Sequence, residues 1–357
     1  MRLAMPFVWD ERCRAHEPRN EVWVGVPTPA VESAARIDAI RSALAEAEAP
    51  EVAAVPHDDD ALLSVHEPEL LSYLQAAWDE WAAAGLPENP GQDRVVPYVF
   101  AHGGLTSGRP PVVPTAVWAR PGYFTYDTMT LVGPGTWESA RAAVDTALTA
   151  VDLVVGGARC AYACSRPPGH HAGRACFGGS CYLNNASVAA TALLERTGGP
   201  VAILDIDAHH GNGTQEVFFE RPDVLVGSLH VDPGAGWFPH FLGFADEIGV
   251  GDGAGANRNV VLPPGAGDEE WLRAIGELVE WMQRADTQAL VVSLGVDAAA
   301  GDPESPLHVG KGGFRRAGAL IGEAKLPTVL VQEGGYDVTR IGMLVREVLL
   351  GVEAGRV

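Results

Sequence analysis

The chain has 357 residues, 47% of them hydrophobic, and a formal net charge of −21; that is enough to bury the core of one large α/β domain or two ordinary ones. So acidic a chain excludes nucleic acid as an expected partner, because phosphate needs a basic surface, and its field attracts cationic small molecules or basic tails instead. No stretch has the apolar length of a membrane span or of a signal peptide core, so a cytoplasmic protein independent of membranes is expected. Cys13, Cys160, Cys164, Cys176 and Cys181 form no CxxC pair and are odd in number, which reads as reduced thiols rather than a disulfide framework.

In chain order, Ile37, Ile40, Ala43 and Leu44 recur at helical spacing and predict a helix over 31–48 that Pro50 closes. A second is predicted over 67–84, with Pro68 in its first turn, Leu70, Leu71 and Leu74 on one face and Gly85 as the stop. Residues 86–129 then lose periodicity. Pro and Gly are dense there, among scattered aromatics such as Tyr98, Phe100, Trp118 and Tyr126; an apolar loop of this length is expected to be functional or an interface, not a free linker. A helix over 136–151 follows. Beyond it, apolar strand-like runs at 201–206, 224–229, 289–294 and 328–331 alternate with helical patterns at 184–196, 268–284 and 312–324. Near-continuous apolar strands between helices predict an α/β fold with a doubly wound parallel sheet, flanked by helices on both faces and spanning 1–357 as a single domain.

Chemistry gathers where these strands stop, the place at which open α/β sheets put their sites. Asp207 and His209 follow the apolar run from Val201 and share one alternation phase, so they project together as half of a site for a divalent first-row metal. Asp297, after the run from Ala289, is the candidate third ligand, although an isolated Asp there is more often a helix cap. Arg166-Pro167-Pro168-Gly169-His170-His171 sets two imidazoles side by side. Two groups stand ready to orient them: Asp205 would raise the basicity of one ring, and the neutral amide of Asn212 would not. Gly334-Gly335-Tyr336 reads alone as a turn and a core cover; beside a metal the phenol is a donor for a forming oxyanion. Together the parts describe metal-assisted hydrolysis of a carbonyl derivative, most simply an amide.

From about residue 133 to 353 the ordered motifs Arg166 to His171, Cys181-Tyr182-Leu183-Asn184-Asn185, Asp205 to Thr214, Ser228-Leu229-His230, Ser293 to Asp297 and Glu333 to Tyr336 resemble those of the zinc-dependent histone deacetylase superfamily, of arginase/deacetylase fold. The resemblance implies one zinc per chain, held by Asp207, His209 and Asp297. It implies a general base and acid pair in His170, backed by Asp205, and His171, backed by Asn212, with His171 carrying the main proton transfers and Tyr336 stabilising the oxyanion. It also implies structural potassium at Asp205, Asp207, His209, Ser228 and Leu229, and a second potassium on main-chain carbonyls of Phe218, Arg221 and Val224. Gly179 would accept a hydrogen bond from substrate, and Phe238 would form one tunnel wall.

Gly133-Pro134-Gly135-Thr136-Trp137, Phe177-Gly178-Gly179 and the run Phe238 to Glu247 are most similar to the bacterial acetylpolyamine amidohydrolases. In that group, the resemblance implies, the 86–129 insertion dimerises and narrows the entrance, and a glutamate near Glu21 reads a distant cationic amine. Three positions depart from the group. Trp118 and Met129 stand where acidic residues occur at the dimeric entrance, and Ser180 replaces the aromatic of the opposite tunnel wall. The expected substrate is therefore a small acylated amine, acetylated in the first instance, with proteins carrying acetyl-lysine or another acylated natural-product precursor as the alternative. A two-manganese ureohydrolase would need further bridging carboxylates, which the run after His209 lacks. A binding protein that kept the fold without catalysis would have lost one of these groups, and none is lost.

Overall fold

A computed structural model describes residues 2–357. Its strands are β1 (Phe7–Trp9), β2 (Asn20–Trp23), β3 (Val26–Pro29), β4 (Glu51–Ala53), β5 (Cys160–Ala163), β6 (Val201–Asp205), β7 (Val224–Val231), β8 (Asn257–Leu262), β9 (Ala289–Leu294) and β10 (Thr328–Gln332). The helices are α1 (Ala34–Glu46), α2 (Asp60–Leu63), α3 (Pro68–Ala83), α4 (Pro121–Phe124), α5 (Thr136–Val155), α6 (Asn185–Thr197), α7 (Asn212–Phe218), α8 (Asp268–Arg284), α9 (Lys311–Glu323) and α10 (Ile341–Gly355). β2 and β3 form an antiparallel hairpin, and the other strands make one eight-stranded sheet in the order β4-β1-β5-β10-β9-β6-β7-β8. Every pairing in it is parallel.

Why the central strands are apolar throughout is visible in their packing. Ala202 and Leu204 of β6 face one core, with residues of α1, α8, α9 and α10, while Val201 and Ile203 face the other, with residues of α3, α5 and α6. β9 divides in the same way, Leu290 and Val292 against Ala289 and Val291. Each fully buried Leu, Ile or Val contributes about 1.5–3 kcal/mol, so both faces need helices and the expected doubly wound single domain results. All five cysteines are free thiols. Among the described residues no helix is long and apolar enough to cross a membrane.

Several boundaries differ from expectation for local reasons. α5 runs to Val155 rather than 151, because Val154 still faces the core and Gly156 is the first stop. β7 extends to Val231 through its pairing with Leu262 of β8, an edge strand whose polar alternation gave no apolar run. α7 occupies a segment expected as glycine-rich loop; Gly213 N and Thr214 N donate to His170 O at 3.0 and 3.1 Å, so a tertiary contact starts the helix. Residues 86–129 contain only α4, and the segment is pinned to α3 where Phe124 stacks on Tyr73 at 4.3 Å.

The four strands carrying the predicted chemistry are sheet neighbours, β5-β10-β9-β6. Their ends are level: Gln332 lies opposite Leu294, Ser293 opposite Asp205, and Val331 opposite Ala163. Segments separated by up to about 170 residues in sequence therefore leave the sheet at one edge.

Candidate active site

Beyond the ends of β6 and β9, Asp207, His209 and Asp297 converge with ligand atoms within 4.8 Å of one another. His209 Nδ1 lies 3.2 Å from Asp207 Oδ1 and 3.2 Å from Asp297 Oδ2. The remaining carboxylate capacity is used to aim the groups: Asp207 Oδ2 accepts from Gly334 N (2.8 Å), and Asp297 Oδ1 from Ala208 N (2.8 Å). Burial pushes Asp297 up to about 7, with the charge of Asp207 adding to it. Two carboxylates and an imidazole, at most 8% exposed, are costly to keep together without a cation. The donor set, two hard oxygens and one borderline nitrogen, fits zinc.

The histidines stand beside it with ring centroids 4.0 Å apart. His170 Nδ1 is 2.9 Å from Asp205 Oδ2, and His171 Nδ1 is 2.6 Å from Asn212 Oδ1. Their proton affinities diverge. Burial alone would lower His170, but the Asp205 and Asp207 carboxylates outweigh it and raise the ring to about 10. Burial drives His171 well below the usual imidazole value, and the charges of His170 and His209 push the same way. A charged ring next to a neutral one is the arrangement the orienting partners predicted. Tyr336 stands with its ring 4.8 Å from Arg36 Cζ; burial holds its phenol well above 10, so it remains a donor.

The other predicted residues are distributed around this centre. Gly179, at φ +57°, lies so close to His171 that a Cβ there would come within 2.4 Å of Cδ2. Phe238 meets His171 edge to face at 4.8 Å and 85°, and Ser180 donates its N–H to Thr130 Oγ1 at 2.8 Å. Glu21, on β2, is half-buried and pushed up to about 7, first by burial and then by Glu304 and Asp127. Asp205 and Ser228 are register partners on β6 and β7, with Leu229 next along. Phe218 ends α7, Val224 opens β7 and Arg221 lies in the turn between them, where Arg221 N donates to Phe218 O at 2.9 Å. Met129 lines a cavity of about 700 Å³ that opens beside His171 between Tyr126, Phe238 and the β2–β3 hairpin; Trp118 is half exposed on the insertion.

Sequence reasoning missed several participants. Tyr126 donates its hydroxyl to His171 O at 2.9 Å, and Asp127 Oδ2 accepts from Gly179 N at 2.6 Å; both lie in the segment read as a loop without assigned roles. Glu333 Oε2 accepts from Gly169 N (2.6 Å) and His170 N (3.1 Å). Glu32 and Arg36 are buried at the start of α1. The last pair had a legible signal, since Arg36, Ile40 and Ala43 share a helix face and a charge on an apolar face asks for a partner.

Comparison with known proteins accords with this geometry. A protein-family model described as histone deacetylase domain matches residues 30–352. The chain belongs to the histone deacetylase family. Within the family it is 38% identical to an acetylpolyamine amidohydrolase of Mycoplana ramosa, over 98% of this chain and 99% of that one. It is 39% identical to acetylpolyamine amidohydrolase 1 of Pseudomonas aeruginosa, with the same coverage. Among solved structures, the acetylpolyamine aminohydrolase from Burkholderia pseudomallei superposes with a TM-score of 0.92 at 35% identity, covering 99% of both chains.

Proposed function

We propose that this histone deacetylase family member is a zinc-dependent amidohydrolase that removes an acyl group, acetyl above all, from a small amine of the acetylpolyamine type. One observation carries the reading: a buried Asp207–His209–Asp297 cluster beside two histidines of opposite proton affinity, in a chain whose near full-length relatives are named acetylpolyamine amidohydrolases.

Zinc held by Asp207, His209 and Asp297 would supply Lewis acidity to the amide carbonyl and to the attacking water. The protein's own groups do the rest. Asn212 Oδ1 faces His171 Nδ1, so the proton sits on Nδ1 and the Nε2 lone pair is free to take a proton from water and return it to the leaving amine. His170, charged through Asp205, contributes positive charge beside the reacting carbonyl. Tyr336 donates its hydroxyl to the oxyanion as it forms. Gly179 and Phe238 border the acyl-amine channel at His171, and Glu21, with Asp127 and Glu304 near it, receives a distal ammonium group. Structural potassium at the Asp205–Leu229 pair of strand ends and in the Phe218–Val224 turn is part of the same reading, as is a cytoplasmic location.

The insertion also fits a homodimer: Tyr98, Leu105, Val112 and Trp118 are all at least half exposed, and a second copy covering them would narrow the entrance. The decisive experiment compares kcat/KM for acetylated polyamines, simple acylated amines and acetyl-lysine peptides, before and after chelation and zinc replacement. Preference for acetylated polyamines with zinc-restored turnover is expected. Preference for the peptides, or activity indifferent to zinc, overturns the reading.

A further inference from the structure

The histidine segment Arg166 to His171 follows β5, and the turn Glu333 to Tyr336 follows β10. Turnover needs their side chains in fixed register, yet Tyr336 follows two glycines, the most permissive backbone available. Glu32, which lies on neither strand, joins the two segments. Its Oε1 accepts from Arg36 Nη1 at 2.9 Å and from Arg166 Nε at 2.8 Å. Arg36 in turn donates from Nε to Gly335 O (2.6 Å) and from Nη2 to Glu333 O (2.5 Å), and its Cζ lies 4.8 Å from the Tyr336 ring centroid. Arg166 Nη1 donates to Cys13 O at 3.1 Å. All three side chains are at most 3% exposed.

The chemistry makes the carboxylate the organising member. Two buried guanidiniums repel each other and carry a large desolvation cost; one shared anion offsets part of both penalties and fixes both forks by directed, charge-assisted hydrogen bonds. The carbonyls that Arg36 holds, those of Glu333 and Gly335, both precede the tyrosine, the second immediately. The turn has other anchors: Asp302 Oδ2 accepts from Tyr336 N at 2.9 Å, and Glu333 Oε2 ties the first residue of the turn directly to Gly169 N and His170 N; the route through Glu32 and Arg36 links the histidine segment to Gly335, the residue next to the tyrosine.

We propose that Glu32 is a positioning residue for the hydrolysis: by seating Arg36 and Arg166 on one oxygen, it holds the Gly335–Tyr336 turn in register with the histidine segment and so places the phenol on the forming oxyanion. This rests on the reading of Tyr336 as oxyanion donor. Such a residue acts on the transition state more than on substrate binding.

The test is a double-mutant cycle on the zinc-loaded full chain with an acetylated amine as substrate. Glu32→Gln keeps the side-chain size and removes the charge; kcat is expected to fall by about tenfold or more while KM changes by less than about twofold. Tyr336→Phe alone should lower kcat strongly, and in that background Glu32→Gln should cost less than about twofold more, because the group it positions is gone. Arg36→Lys enters the same cycle under the same criteria if Glu32→Gln fails to fold or to hold zinc. Multiplicative losses, or unchanged kcat in folded Glu32→Gln, overturn the proposal while leaving the role of Tyr336 intact. Unchanged turnover in Tyr336→Phe overturns both.

Discussion

Gly179 shows how a site can depend on a side chain that is missing. Its backbone is left-handed at φ +57°, and its N–H donates to Asp127 at 2.6 Å. The empty space at its α-carbon is filled by the imidazole of His171, whose Cβ, Cγ and Cδ2 would all lie within 3.0 Å of an added methyl. Gly179→Ala therefore forces a ring displacement on top of the conformational cost of a left-handed alanine, which is about 1 kcal/mol. Gly198, at φ +69° with nothing within 4 Å, separates the two effects. Gly198→Ala is expected to lower unfolding stability by about 1 kcal/mol and leave kcat unchanged. Gly179→Ala is expected to lower kcat by about tenfold or more, since His171, the proposed proton-transfer group, would lose its alignment. Steady-state kinetics and urea unfolding of both variants check this, and equal kcat values would remove the steric argument.

At the scale of elements, the site depends on how helices start behind it. α6 opens on Asn184, whose Oδ1 accepts from Ser187 N at 2.9 Å. The same side chain donates from Nδ2 to Ala172 O (2.9 Å) and Thr214 Oγ1 (3.1 Å), and its N–H donates to His66 Nε2 (2.9 Å). One cap thus binds α6, the residue after His171 and the third residue of α7. Asn184→Ala loses the cap and leaves buried acceptors unpaired, an expected loss of about 2–4 kcal/mol in urea unfolding; a change under about 1 kcal/mol would show that water replaces these bonds. None of this was legible in the sequence, where Asn184 appears only as one letter of a motif. What was legible followed from periodicity. The apolar runs that became β6, β7, β9 and β10 and the helices α1, α3, α8 and α9 were placed to within a few residues, and with them Asp207, His209, Asp297 and Tyr336 at strand ends. β5, at Cys160–Ala163, and β1 were not placed, because short strands of Ala, Cys and aromatics carry no distinguishing period. For Arg36 the apolar helix face signals that a partner is needed, but which groups it meets, Glu32 and the carbonyls after β10, is decided by tertiary packing that no local pattern encodes.

For the molecule as a whole, the excess of acid is long-ranged and the entrance is its local expression. A net charge of −21 creates a field that draws cations toward the surface and is screened over about 10 Å at 0.1 M salt. Close to the site, Glu21 is pushed up to about 7 by burial and by the neighbouring Glu304 and Asp127, so its charge is present above that pH and lost below it. An approaching ammonium group favours the charged form and pays part of the burial cost. Two consequences differ in range. Raising ionic strength from about 0.05 to 0.5 M should lower kcat/KM for a cationic acetylpolyamine several-fold and leave a neutral acetylated amine nearly unchanged, through the long-range field. Lowering the pH from about 8 to 6 should raise KM for the cationic substrate as Glu21 takes up a proton, with a smaller change for the neutral one. Glu21→Gln should flatten that pH dependence while leaving much of the salt dependence, because the remaining acidic surface is untouched. If Glu21→Gln leaves the pH dependence unchanged, recognition of the amine belongs to a contact elsewhere and Glu21 does not have the role argued for it; if it removes the salt dependence, that dependence comes from Glu21 and not from the net charge.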